Sequence, residues 1–129
     1  METQSHMPTV LIVEDEGPLL KGLGEKFTIS GFGVFKAANG SEGLALALAQ
    51  HPDVIIMDVL MPNVGGFEML QQLRADEWGR NAKAIIWSNS RNLDLEKEAR
   101  ELGVADFWVK SDFNFSKIVE KVRALLDVK

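Results

Sequence analysis

Five residues of this chain have the types and spacing to handle a phosphoryl group: Glu14, Asp15, Asp58, Ser88 and Lys110. They stand at or just after the ends of four short apolar runs: TVLIV at 9–13, VIIM at 54–57, AIIW at 84–87 and VADFWV at 104–109. Continuous apolar runs of this length, bounded by turn residues, read as strands buried on both faces. If the strands are parallel members of one sheet, their carboxyl ends share one edge, and open α/β sheets bind ligands at that edge. At least three carboxylates would crowd there. They repel one another, so at least one would hold its proton to an unusually high pH. A divalent cation and the Lys110 ammonium both relieve that repulsion. Mg²⁺ fits, as a hard ion that takes one or two carboxylates together with phosphate oxygens and keeps several waters. The Ser88 hydroxyl and the Lys110 charge suit phosphoryl oxygens. Asp58 then becomes a nucleophile that accepts a phosphoryl group, with the repulsion between two anions offset by metal and ammonium.

Each residue alone has a plainer explanation. Asp58 is also what a solvated strand end looks like. Glu14, Asp15 and Glu16 would suit the start of a helix, where negative charge is favourable. Ser88 would serve as a turn or capping serine, and Lys110 as a surface lysine. The ordered set outweighs these separate readings. Trp87 and Trp108 read as packing residues, and His6 and His51 have no partner at ligand spacing.

The elements that position these groups alternate regularly. After the first run, Pro18 suits a helix's first turn, and Leu19, Leu20, Leu23 and Phe27 recur at helical spacing up to Ser30. Gly22 and Gly24 weaken that helix by roughly 1 kcal/mol each relative to Ala, so tertiary packing must hold it. Residues 31–38 form a weak strand. Asn39-Gly40 is a turn, and Ser41 and Glu42 open a helix to about Gln50. The strand at 53–58 follows, then a loop at 59–65 with Pro62 and Gly65-Gly66, and a helix marked by Phe67, Leu70 and Leu73 to about Asp76. A polar connector at 77–82 leads to the fourth strand. A charged helix with a thin apolar stripe spans 93–102 and is closed by Gly103. After the fifth strand, a helix at 114–126 turns Ile118, Val119, Val122, Leu125 and Leu126 inward. Five βα units joined by short loops imply an α/β fold, a parallel sheet with helices on both faces.

Bulk properties narrow the function. A chain of 129 residues suits one domain with one core. A formal charge of −5 supplies no basic field for nucleic acid. The absence of cysteine removes disulfides, thiolate metal sites and cysteine nucleophiles, and agrees with a cytoplasmic location. No apolar run approaches the roughly 20 residues of a membrane span, and METQSHM lacks the apolar region of a signal peptide. Residues 1–7 are read as an N-terminal extension or tag remnant, with the native start at Met1 or Met7, and 8–129 as the folded domain.

Across residues 8–128 the chain resembles the receiver domains of two-component response regulators. The resemblance rests on Glu14-Asp15, on Asp58 with Met61-Pro62 and Gly65-Gly66 after it, on Ser88 thirty residues further on, and on Lys110 twenty-two after that. It implies a (βα)5 flavodoxin-like fold with strand order 2-1-3-4-5. It also implies that Asp15 and Asp58 ligate Mg²⁺ (or Mn²⁺), with Glu14 acting through water and Leu60 through its backbone carbonyl. Lys110 would pair with Asp58 and then with the phosphoryl group. Ser88 and Phe107 would move on phosphorylation and repack the face made by the fourth helix, fifth strand and fifth helix. The implied donor is a histidine kinase or histidine phosphotransfer protein. The implied output is a contact with a downstream protein target or effector domain, with no nucleic acid or membrane bound by this domain. The protein would be a signalling phosphoacceptor and not an enzyme, although it would take phosphoryl groups from small donors and release them by itself.

Several positions depart from the family pattern. Ser111 replaces the proline that usually follows the lysine in a cis bond. A cis bond without proline costs roughly 3–4 kcal/mol, so Lys110–Ser111 is expected to be trans. Asn89 replaces a small residue after the hydroxyl, and Phe107 lacks the common tyrosine's hydroxyl. Leu60 cannot orient a hydrolytic water, so the acyl phosphate is expected to hydrolyse slowly. Leu60 also stands where aspartate-nucleophile phosphohydrolases carry their second Asp, which disfavours that activity. Asn89 and Ser111 keep open a degenerate receiver that binds a partner without phosphorylation.

Overall fold

The computed structural model describes residues 7–59, 65–89 and 91–127. The apolar runs become five strands: β1 (Thr9–Val13), β2 (Gly33–Ala37), β3 (Val54–Met57), β4 (Ala84–Ser88) and β5 (Asp106–Val109). All neighbouring pairs are parallel, and the order is β2-β1-β3-β4-β5, as the resemblance implied. The central strands are buried on both faces: every residue of Val54–Met57 has no exposed surface, which is why they show no polar alternation.

Five helices cover the sheet: α1 (Gly17–Ile29), α2 (Gly40–Gln50), α3 (Gly66–Ala75), α4 (Leu93–Glu101) and α5 (Phe115–Leu126). Alternate strand residues split the core in two. Leu11, Val13, Ile55, Met57 and Ile86 pack with residues of α2, α3 and α4, whereas Val10, Ile12, Val54, Ile56 and Trp87 pack with residues of α1 and α5. Asparagines start three of the helices. Asn39 accepts a hydrogen bond from the Glu42 backbone N–H, while Glu42 accepts one from that of Ala38, a reciprocal arrangement that satisfies two amides at once. Asn92 caps α4 and Asn114 caps α5 in the same sense. Only Ala99 of α4 is buried, and Leu93 at its start is 75% exposed. The thin stripe seen in the sequence thus becomes a lightly anchored helix.

The element boundaries differ from expectation by one or two residues at several ends. Gly31, at φ +95°, ends the turn after α1, so β2 starts only at Gly33. The connector at 77–82 contains a 3-10 turn, Gly79–Asn81, started by a bond from the Gly79 N–H to Asp76 Oδ2.

The connector is tied down by Arg74. Its guanidinium donates to the carbonyls of Gly79 (2.7 Å), Ala82 (2.8 Å), Leu102 (2.7 Å) and Gly103 (3.1 Å). One side chain thereby joins α3, the connector and the end of α4, and burial pulls its pKa down. Replacing Arg74 by Met keeps most of the stem and removes these donors. The expected loss is about 2 kcal/mol of stability, since hydrogen bonds to a charged group are among the stronger ones. It is measured as a shift in the urea midpoint with unchanged slope.

Candidate functional site

The strand register decides which groups meet. Val13 lies beside Met57, and Met57 beside Ile86, so the residues that follow β1, β3 and β4 emerge side by side. Backbone bonds pin the two acidic residues: Asp58 N–H donates to Val13 O at 3.1 Å, and Glu14 N–H to Ala37 O at 3.0 Å. Carboxylate oxygens of Glu14, Asp15 and Asp58 fall within 4.8 Å of one another, with Asp15 exposed and the other two buried.

Lys110 reaches this cluster from the far side of β4. Its Nζ lies 3.0 Å from Asp58 Oδ2 and 2.7 Å from Glu14 Oε1, and its side chain is only 9% exposed. The Lys110–Ser111 bond is trans, as expected, and the lysine begins a short 3-10 turn, Lys110–Asp112.

The electrostatics follow from burial. Desolvation raises the pKa of Glu14 above the usual 4.5. The Lys110 contact and a bond from the Glu16 N–H to Oε2 work against that rise, and Asp58 adds to it. For Lys110, burial acts to lower the pKa, but Glu14 and Asp58 together outweigh it and leave the ammonium above its usual 10.5. Two buried like charges are therefore held by one shared cation.

Ser88, the last residue of β4, is 3% exposed, and Phe107 on β5 is likewise buried, against the α2–α4 side of the core. Asn89 faces solvent. Leu60, expected to offer its carbonyl, lies outside the described residues, as do Met61 and Pro62. Glu14, Asp15, Asp58, Ser88 and Lys110 are thus arrayed along the carboxyl edge of the sheet, where the strand ends were expected to bring them. Two features were not foreseen. Glu14 pairs directly with Lys110, where only a water-mediated role toward a metal was expected. The Trp87 ring, assigned to packing alone, also faces the Lys110 ammonium, with Nζ 5.1 Å from the ring centroid. No local pattern announces either contact, because both join residues from different strands.

The model of the response regulator receiver domain matches residues 10–123. This chain belongs to that family. Among curated relatives, sporulation initiation phosphotransferase F of Bacillus subtilis is 30% identical over 120 residues, covering 93% of this chain and 94% of the relative. The transcriptional regulatory protein PrrA of Mycobacterium tuberculosis is 32% identical over 126 residues, 98% of this chain but 53% of PrrA, so the chain spans about half the length of that relative. Among solved structures, the chemotaxis response regulator CheY4 of Vibrio cholerae superposes with a TM-score of 0.85 at 27% identity, covering 93% of this chain and 99% of CheY4.

Proposed function

We propose that Asp58 accepts a phosphoryl group from a phosphohistidine of a histidine kinase or histidine phosphotransfer protein, and that the modified site switches a protein-binding face. The observation that carries this reading is the buried triad of Asp58, Glu14 and Lys110 beside exposed Asp15. An Asp58 carboxylate oxygen bonds to phosphorus as the P–N bond to imidazole breaks, and the imidazole keeps the electron pair and takes a proton from solvent. Lys110 already sits on Asp58 Oδ2 and is placed to draw charge from the incoming phosphoryl oxygens. Glu14, Asp15 and Asp58 form an all-oxygen set suited to a hard cation. They would hold Mg²⁺ or Mn²⁺, with Asp15 and Asp58 as direct ligands, Glu14 through water and the Leu60 carbonyl completing the set. The ion supplies charge neutralisation between the attacking carboxylate and the phosphoryl oxygens.

The output assignment draws on packing. In this reading Ser88 turns toward the phosphoryl group and Phe107 moves into the space it leaves. Phe107 shares its core with Ala99 of α4, whose single buried residue makes it the helix that shifts at least expense. The partner of the α4–β5–α5 face is a downstream protein or an effector domain. Residues 8–129 constitute the receiver, preceded by an extension at 1–7. Among the described residues no helix is long and apolar enough to cross a membrane, and a cytoplasmic location accompanies this reading. The protein acts as a phosphoacceptor that also self-phosphorylates from small donors and slowly dephosphorylates.

The test is incubation with phosphoramidate and Mg²⁺, followed by intact mass. One phosphoryl group is expected on the wild-type chain, labile to hydroxylamine as an acyl phosphate is, and none on Asp58→Ala. A wild-type chain that gains nothing overturns the reading and favours phosphorylation-independent binding.

A further inference from the structure

Lys110 holds its ammonium between two carboxylates from a turn at the surface. Ser111 and Asp112, which follow it in the 3-10 turn, are exposed, and its own stem has four rotatable carbons. The ammonium donates to Asp58 and forms an ion pair with Glu14. The remaining side of the ammonium faces the Trp87 ring, with Nζ 5.1 Å from the centroid, inside the range where an aromatic face attracts a cation.

Trp87 is firmly fixed. It lies on β4 opposite Trp108 of β5, is 2% exposed, and meets Phe115 of α5 edge-on, with centroids 6.5 Å apart and planes at 60°. Phe115 in turn lies over Gly22 of α1, where an added Cβ would come within 2.6 Å of its ring. This gives a packing reason for a glycine that weakens its own helix. The indole also keeps a buried Nε1–H that has no hydrogen-bond partner among the described residues. Buried donors of that kind are uncommon, and an aliphatic side chain would fill the volume without leaving one. The part of Trp87 that no aliphatic residue can replace is its negative ring face, and that face is turned to Lys110.

We propose that Trp87 is a positioning residue for phosphoryl transfer: its ring face forms the third wall of the Lys110 seat and keeps Nζ on Asp58 and Glu14. The inference rests on the reading of Asp58 as phosphoacceptor, but the seat itself is measurable without any transfer. Protons on the end of the Lys110 side chain, lying over an indole, should resonate upfield of ordinary lysine, with the assignment made by their loss in Lys110→Arg. In the full chain, Trp87→Leu should abolish the upfield shift and slow phosphorylation by phosphoramidate and Mg²⁺ by about tenfold. Trp87→Phe, with a weaker ring face, should keep part of the shift and recover part of the rate.

Because Trp87→Leu also changes packing, the deciding series places fluorinated tryptophans at position 87 alone. Each fluorine weakens the ring face with little change in volume. The phosphorylation rate should therefore fall stepwise with fluorine count while the melting temperature holds. A rate independent of fluorination, or a Lys110 side chain with no upfield shift in the wild type, overturns the proposal. If the wild type takes no phosphoryl group, the phosphoacceptor reading fails by itself. The seat is then decided by the shift alone: its loss in Trp87→Leu upholds the contact, and its persistence there overturns it.

Discussion

Replacing Lys110 with Met is expected to slow phosphoryl transfer to Asp58 by about 100-fold, the size of effect seen when one preorganised charge-stabilising donor is removed. It should also destabilise the fold near neutral pH by about 3 kcal/mol, because removing one partner of a buried ion pair leaves the other charges uncompensated. Methionine keeps the length of the stem, so the loss reports charge more than volume. Both consequences come from the same geometry, an ammonium 2.7 Å from Glu14 and 3.0 Å from Asp58 in a site where all three side chains are at least nine-tenths buried.

The pH dependence separates the charge effect from a packing defect. In the wild type the Lys110 pKa stands above 10.5, so its contribution is fully present below about that pH and is lost as pH rises through the higher folded value. The Glu14 pKa is raised above 4.5 by burial even with Lys110 beside it. Without Lys110 it rises further. The folded variant then keeps a proton that the unfolded chain releases near 4.5, and its stability falls as pH rises through the folded Glu14 value. Urea unfolding of Lys110→Met should therefore approach the wild type near pH 5 and fall behind it near pH 7.5. A deficit that is the same at both pH values would show that lost packing, not lost charge, is responsible.

The second large effect is expected at Gly66, the first residue of α3. It is buried, and its N–H donates to Val59 O at 3.2 Å. A Cβ there would press on the backbone oxygen of Asp58 and lie 2.7 Å from the Cα of Val59. Both neighbours are backbone, so no side chain can swing aside. Either α3 retreats or the Asp58–Val59 backbone moves. Gly66→Ala should destabilise the domain by about 3 kcal/mol, at the upper end for overpacking. It should also slow transfer by at least about tenfold, since small misplacements of a reacting group are costly. Gly17→Ala is the control. It also lies in the first turn of a helix, and an added Cβ meets nothing within 4 Å among the described residues. Its stability should stay within about 0.5 kcal/mol of the wild type. If both variants behave alike, close approach to Asp58 is not what glycine provides at position 66.

Much of the fold can be read along the chain because each of its elements has a local signature. Four short apolar runs, a weaker fifth and helical spacings between them specify five βα units, since a strand buried on both faces needs no polar partner pattern and a helix packed on one face needs a periodic one. The reactive groups are legible for a related reason. A carboxylate, a hydroxyl or an ammonium directly after a buried run must sit at a strand end, and parallel strands put those ends on one edge. The strand order itself came from family resemblance, because local patterns say nothing about which strands are neighbours.

What lies beyond local reading is every contact that crosses between strands or approaches a backbone. Lys110 meets Asp58 because β3, β4 and β5 are adjacent in that order. Whether Glu14 faces a metal through water or the ammonium directly depends on two side chains, from the ends of β1 and β5, converging across β3 and β4. The Trp87 ring needed its volume to be assigned to the core, but its second use depends on which face of β4 it occupies. Arg74 looks like one more helix-surface charge until four carbonyls from two other segments surround it. Gly66 looks like a turn former until the Asp58 carbonyl is packed against it. Residue type and period set which groups reach the edge of the sheet. Distances between groups from separate strands, and the desolvation that follows from them, exist only once the chain has closed around them.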